Sequence, residues 1–341
     1  MSRPRPPRLW PTQCRLHIVT GKGGTGKTTV AAALALALAE GGGRVLLVEV
    51  EGRQGIAQLF DTAPLPYEER SIAIAPGGGE VFALAIDPEQ ALLEYLDMFY
   101  KLGRAGKALK RFGAIDFATT VAPGMRDVLL TGKACEAVRR TATDRPGRAF
   151  AYDAVVMDAP PTGRITRFLN VNTEVAGLAR VGPVKNQAEA VMRVLTSPQT
   201  AVHLTTVLEE MPVQETLDGI EELRAAGLPV GAVLVDMVRT AHLAIGKRTA
   251  VSAVNAVSAA AEKRVAALLR PYGVAPAETG ALAVLGREHA ERLALEESER
   301  RALDEAGRPV VELPLIGDGI DLGGLYELAA VLSAAAGGIE A

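Results

Sequence analysis

Gly21-Lys22-Gly23-Gly24-Thr25-Gly26-Lys27-Thr28 is the stretch on which the fold turns. It satisfies in full the pattern of a glycine, four free positions, then Gly-Lys-Thr. Its surroundings fit as well. The apolar run Leu16 to Thr20 precedes it, and the Ala-rich helical run Val30 to Ala39 follows. The glycines let successive backbone N–H groups curl around phosphate oxygens without Cβ clashes, and the following helix adds its positive end. Lys27 is spaced to reach terminal phosphates, and Thr28 to offer a hydroxyl to Mg²⁺. An ordinary turn between strand and helix would need neither side chain.

Outward from this loop, short β-type runs alternate with helical patterns. Leu16–Thr20, Val45–Val50, Val81–Ile86, Ala154–Met157, Val202–Leu208, Val230–Val235 and Val310–Leu313 read as strands. Continuous apolar strands with helices between them predict an α/β fold with a mostly parallel, doubly wound sheet. Ligands in such sheets sit at the carboxyl ends of the strands. Two segments exceed simple crossovers. Residues 88–140 have helical periodicity broken by Gly103, Gly106, Gly113 and Pro123-Gly124, and read as a helical insertion over the sheet. Residues 240–307 are Ala-, Glu- and Arg-rich and also helical. Residues 1–14 carry Arg3, Arg5 and Arg8 among four prolines and read as a disordered basic arm, which leaves 15–335 as one domain.

Composition narrows the function. Lys plus Arg is 37 against 40 Asp plus Glu, a net charge of −3, which argues against bulk nucleic-acid binding. Aromatics at 4% are too few for a base-stacking surface. Two cysteines, Cys14 and Cys135, build neither a disulfide framework nor a Cys-rich zinc site, and fit a reducing, cytoplasmic setting. The four histidines show no i, i+3 or i+4 pairing, so no metal beyond Mg²⁺ is expected. No stretch reaches the length of a membrane span. The apolar stretch Leu325 to Ala335 lacks Lys and Arg, which disfavours a basic membrane anchor.

Lys22 places a second lysine inside the loop. Lys22-Gly23-Gly24-Thr25-Gly26-Lys27-Thr28-Thr29 resembles the deviant Walker A class of P-loop NTPases, the SIMIBI type. Asp158 closes an apolar strand, and the run Asp158-Ala159-Pro160-Pro161-Thr162-Gly163-Arg164 is similar to the Asp-Thr-Ala-Pro-Thr-Gly-His switch of ArsA-like ATPases. That family includes arsenite pumps and tail-anchored-protein targeting ATPases. Three further stretches extend the likeness over most of the chain: Pro123-Gly124-Met125-Arg126-Asp127, Pro212-Val213-Gln214-Glu215-Thr216 and Leu313-Pro314-Leu315. The run from Glu49 to Phe60 resembles an actinobacterial, anion-transporting-ATPase-like branch.

The resemblance implies ATP and Mg²⁺ as cofactors, and catalysis by Lys22, Lys27 and Glu51. Gly21, Lys22, Gly23, Gly24, Thr25, Gly26, Lys27, Thr28, Thr29, Gly163, Asp236 and Pro314 would bind the nucleotide. Thr28, and Asp158 through water, would hold the metal. Lys22 would reach the nucleotide of an identical or paralogous subunit across a face-to-face dimer. Cargo is not indicated. A single P-loop differs from the tandem pump chain.

Three departures stand out. Glu51-Gly52 replaces the Asp-Pro of the family, lengthening the water-holding side chain by one methylene. A shift on the order of 1 Å at a reacting centre can cost about 10²-fold in rate. Asp236 replaces the Asn that reads adenine, and a carboxylate cannot donate a hydrogen bond; capping the next helix is the other role open to it. The Cys-x-x-Cys zinc clasp is missing. These changes leave a second reading, a low-turnover nucleotide-binding scaffold subunit.

Overall fold

The protein's structure, a computed structural model, describes residues 9–100, 124–142, 149–178, 183–239, 267, 270–273, 275–317 and 319–337. Its strands are β1 Leu16–Gly21, β2 Arg44–Glu49, β3 Arg70–Ile74, β4 Glu80–Ala85, β5 Ala154–Asp158, β6 Thr200–Thr206, β7 Val230–Val238 and β8 Val310–Pro314. They form one sheet in the order β3-β4-β2-β5-β1-β6-β7-β8. All pairings are parallel except β3 with β4. Each of the seven expected strands lies in this sheet. The eighth, β3, was not expected. It is the outermost strand and is half-exposed along its length, so it lacks the continuous apolar run that marks a buried parallel strand.

The described helices are α1 Lys27–Ala39, α2 Gly55–Leu59, α3 Pro88–Tyr100, α4 Met125–Arg139, α5 Thr162–Leu178, α6 Pro183–Leu195, α7 Glu210–Ala225, α8 Pro276–Glu305 and α9 Leu322–Gly337. They cover the sheet from both sides. Alternation along β1 sends Leu16 and Ile18 into one core and Val19 into the other. The first core packs against α4, α5 and α7. The second packs against α1, α2 and α9. Every side chain from Val30 to Leu36 is fully buried, so α1 runs through the interior rather than over it. Its alanines are what let α9 lie close against it.

Of the expected insertion, α3 and α4 are described, and residues 101–123 lie outside the described part. Helix α4 packs on α3, α5, α6 and β5, over the sheet. Residues 240–266 of the second helical segment lie outside as well, while α8 accounts for most of its remainder.

The arm expected over residues 1–14 needs correcting from Leu9 onward. Leu9 is buried in the second core, and Cys14 is buried too. Trp10 sets its ring edge-on to His17 and His203, with centroids 5.1 and 5.7 Å away. These two histidines are fully buried on β1 and β6. His203 Nδ1 accepts the Ala232 N–H at 3.1 Å, so its proton sits on Nε2 and is donated to His17 Nδ1 across 3.1 Å. Burial holds both imidazoles below the usual histidine range, His203 at about 3. A Trp-capped polar pair is a fixed contact, and it draws the end of the arm into the fold.

Candidate active site

The quoted loop joins β1 to α1 at the carboxyl end of the sheet, between β5 and β6. Gly21 closes β1 so tightly against β6 that a Cβ there would collide with the backbone oxygen and hydroxyl of Thr205. Gly26 has φ 76° and lies against the Asp236 carboxylate, which a Cβ would also strike. Gly23 and Gly24 are different, because a Cβ on either would meet nothing within 4 Å. The backbone there is open to a ligand, as a phosphate cradle requires. Thr25, almost fully buried, anchors the loop: its hydroxyl donates to Lys22 O at 2.9 Å and lies 3.1 Å from Thr205 Oγ1.

Lys27 begins α1, and its Nζ donates to Lys22 O at 3.3 Å, folding the side chain back across the loop. Burial lowers its pKa; Asp158 and Glu51 oppose this, and Arg53 adds to it. Thr28 Oγ1 donates to Asp158 Oδ2 at 2.7 Å. Asp158 ends β5 and is paired in register with Glu49 at the end of β2. Burial pushes its carboxyl up to about 6; Thr28 and Lys27 oppose this, and Glu49 and Glu51 reinforce it. The charge of Lys27 offsets only part of this rise. The Asp158 oxygens and the Thr28 hydroxyl form the hard donor set that Mg²⁺ prefers, so the residues present fit that ion. Among the described residues there is no cluster of three or more His, Cys, Asp or Glu side chains able to hold a metal.

Glu51 follows β2 in the loop leading to α2. Its carboxylate is one-fifth exposed and lies 3.5 Å from the Arg53 guanidinium. The loop is held from below by Glu49, whose carboxylate accepts the backbone N–H groups of Gln54 and Ile56. Gln54, at φ 58°, in turn bonds both backbone groups of Leu65 through its side-chain amide. Glu51 and Arg53 line a cavity of about 170 Å³ together with Arg126, Asp127 and Arg164.

Lys22 points away from Lys27. Its Nζ donates to Glu215 Oε1 on α7 at 2.6 Å, in a pair about one-third exposed. Asp236, near the end of β7, accepts the N–H of Met237 on Oδ1 at 2.8 Å and sets Oδ2 against Gly26. Burial pushes its carboxyl up to about 6. Met237 takes φ 57°, where the register of β7 with β8 shifts. Pro314 ends β8 opposite Val238, and Leu315 N–H donates to Val238 O at 2.9 Å. Asp236 and Pro314 therefore stand at the ends of adjacent strands. Gly163 lies exposed in the first turn of α5, and Thr29 continues α1 after Thr28.

Glu49, Thr205 and Arg53 are residues whose part in the site was not foreseen. Glu49 and Thr205 sit at strand ends beside Asp158 and Gly21, a placement that only the strand order supplies.

Comparison with known proteins agrees with this arrangement. The model of the anion-transporting ATPase family matches residues 14–195. The ATPase BagA of Mycobacterium tuberculosis is 53% identical over 329 residues, 95% of each chain. The ATPase get3 of Schizosaccharomyces pombe is 26% identical over 196 residues, 55% of each chain. The matched segment spans the loop from Gly21 to Thr28, the Glu51 loop and the run after Asp158, and with more than half of the sequence inside it this α/β chain belongs to the ArsA-like, anion-transporting ATPase family.

Proposed function

We propose that the protein is a Mg·ATP-dependent switch that hydrolyses ATP as a dimer, with an identical or a paralogous subunit, in the cytoplasm. The observation that carries this is the convergence of Lys27, Thr28, Asp158 and Glu51 around the open Gly23-Gly24 backbone. The loop N–H groups and Lys27 bind the phosphates. Thr28 and Asp158, the latter through water, hold Mg²⁺, which supplies charge neutralisation on the phosphate oxygens when bound. Glu51 accepts a hydrogen bond from the attacking water and orients it in line. The Glu51 loop and the run after Asp158 act as switches: the run after Asp158 ends on α5, which packs on α4 of the insertion, and Glu51 lines the same cavity as Arg126 of α4. Lys22 is held by Glu215 and serves the partner's nucleotide. The base rests between the ends of β7 and β8, beside Asp236 and Pro314.

The Glu51–Arg53 ion pair favours the second reading, a nucleotide-loaded scaffold subunit with little turnover. A carboxylate engaged by a guanidinium is a weaker hydrogen-bond acceptor for water. Turnover of the purified chain, compared with Lys27→Ala, decides between them. Mg·ATP hydrolysis abolished in the variant supports the switch. Tight nucleotide binding without hydrolysis supports the scaffold. Mg·ATP affinity unchanged in the variant overturns both.

A further inference from the structure

The cavity beside Glu51 has a composition that water-holding alone does not require. Three guanidinium groups line it: Arg53 from the Glu51 loop, Arg126 from the first turn of α4 and Arg164 from the first turn of α5. Two carboxylates oppose them, and Glu51 is already engaged by Arg53. No described carboxylate lies within ion-pairing distance of Arg126 or Arg164. Both still act on Asp127: burial raises its carboxyl, and Arg164, Arg126 and Arg167 oppose that rise. Among the described residues, the cavity therefore holds two guanidinium groups that share Asp127 but are closed into no ion pair, in the first turns of two helices.

Size and connection narrow the ligand. About 170 Å³ accommodates several waters, at roughly 30 Å³ each, and so a tetrahedral oxyanion. Val50, Leu130 and Phe168 also line the cavity, while the three arginines are exposed and so accessible to an ion from solvent. Glu51 and Arg53 line the cavity and also belong to the electrostatic surroundings of Lys27, so it adjoins the phosphate-handling lysine.

We infer that this cavity is a binding site for inorganic phosphate, occupied by the cleaved γ-phosphate on its way out, with Arg126 and Arg164 as its ligands. The inference rests on the ATPase reading above, and the cavity's lining is separate from the residues of the P-loop. Guanidinium forks suit phosphate because they present paired N–H donors to two oxygens. Since both arginines begin helices of the sheet face that carries α4, phosphate departure would be felt by α4 and α5 directly.

Calorimetry of the full chain, with inorganic phosphate titrated into Mg·ADP-loaded protein, tests this. Mg·ATP binding measured on the same preparation tests the ATPase reading separately, and phosphate titrated into nucleotide-free protein reads the cavity even if that reading fails. Wild type should bind phosphate in both states. Arg126→Gln and Arg164→Gln should each weaken it about tenfold or more while leaving ADP affinity unchanged. Charge reversal in Arg126→Glu should abolish it. Absence of phosphate binding by wild type would overturn the proposal. So would phosphate binding that survives both arginine variants and disappears only in Lys27→Ala, since the ion would then sit in the P-loop. Loss of ADP binding together with phosphate in both arginine variants would also count against it, as it would make these arginines part of the nucleotide site.

Discussion

Thr28 Oγ1 and Asp158 Oδ2 stand 2.7 Å apart, which ties the first turn of α1 to the tip of β5. The hydroxyl is the donor that most opposes the upward push of burial on Asp158. Thr28→Ala removes both this donor and the metal ligand proposed above. The Mg²⁺ concentration needed for half-maximal ATP binding should rise about tenfold or more. A magnesium titration at fixed ATP measures it, and an unchanged midpoint would remove Thr28 from the metal site.

The Lys22–Glu215 pair is partly exposed, so it should add little to stability, between about 0 and 1 kcal/mol. Its importance lies in where it holds the lysine. Lys22→Ala should melt within a few degrees of wild type, bind nucleotide as a monomer, and lose nucleotide-promoted dimerisation or hydrolysis. Glu215→Gln, which frees Lys22, should leave stability equally unchanged. Sedimentation velocity with and without nucleotide follows both. Hydrolysis by a strictly monomeric preparation at the dimer's rate would contradict the role across the interface.

Gly26 admits no side chain. A Cβ there would meet the Asp236 carboxylate, and φ 76° disfavours any L-residue. Gly26→Ala should lower the melting temperature by the equivalent of about 1–3 kcal/mol and abolish nucleotide binding. Thermal melts and calorimetry check the two effects independently.

Asp236 gives a pH dependence of definite sign. Its folded-state pKa, about 6, lies above the unfolded value of roughly 3.9. Between these values the folded chain holds a proton that the unfolded chain has released. Its contribution to stability therefore improves as pH falls through 6, and its ionised form is a cost above that. Asp236→Asn keeps an acceptor for Met237 N–H and removes the buried charge. It should stabilise the protein by on the order of 1–3 kcal/mol at pH 7.5 and scarcely at all at pH 4. If Asp236 also faces the base, the same variant should sharpen the preference for ATP over GTP in calorimetry.

Leu9 and Trp10 make the N-terminal truncation informative. Removing residues 1–13 exposes the His17–His203 pair and opens the second core at Leu9. A loss of about 2–4 kcal/mol is expected. A free arm would give none, and chemical denaturation distinguishes the two.

The parallel strands were legible because burial on both faces leaves unbroken apolar runs such as Val45–Val48. β3 was not, because Arg70, Ser71 and Ile74 face solvent and only Ile72 and Ala73 are partly covered. The phosphate loop and Asp158 announce themselves by spacing along the chain. Glu215 opposite Lys22, Thr205 against Gly21 and Arg126 lining one cavity with Arg53 are each separated by dozens of residues or more. Only the sheet order brings them together. Trp10 and Leu9 were hidden for a different reason. They are two apolar residues in a Pro- and Arg-rich run, and no periodicity shows that a polar pair waits for them.

The imidazole pair has a practical consequence at the other end of β1. The His203 Nε2 proton is fixed in one tautomer and shut away from water, so it should persist as a slowly exchanging NMR resonance far from the amide envelope. Its frequency depends on the spacing between β1 and β6, and β1 runs without interruption from His17 to the loop at Gly21. A nucleotide seated in that loop could thus be followed by listening to a single proton, carried by His203 on β6 and accepted by His17, about four residues before Gly21 on β1.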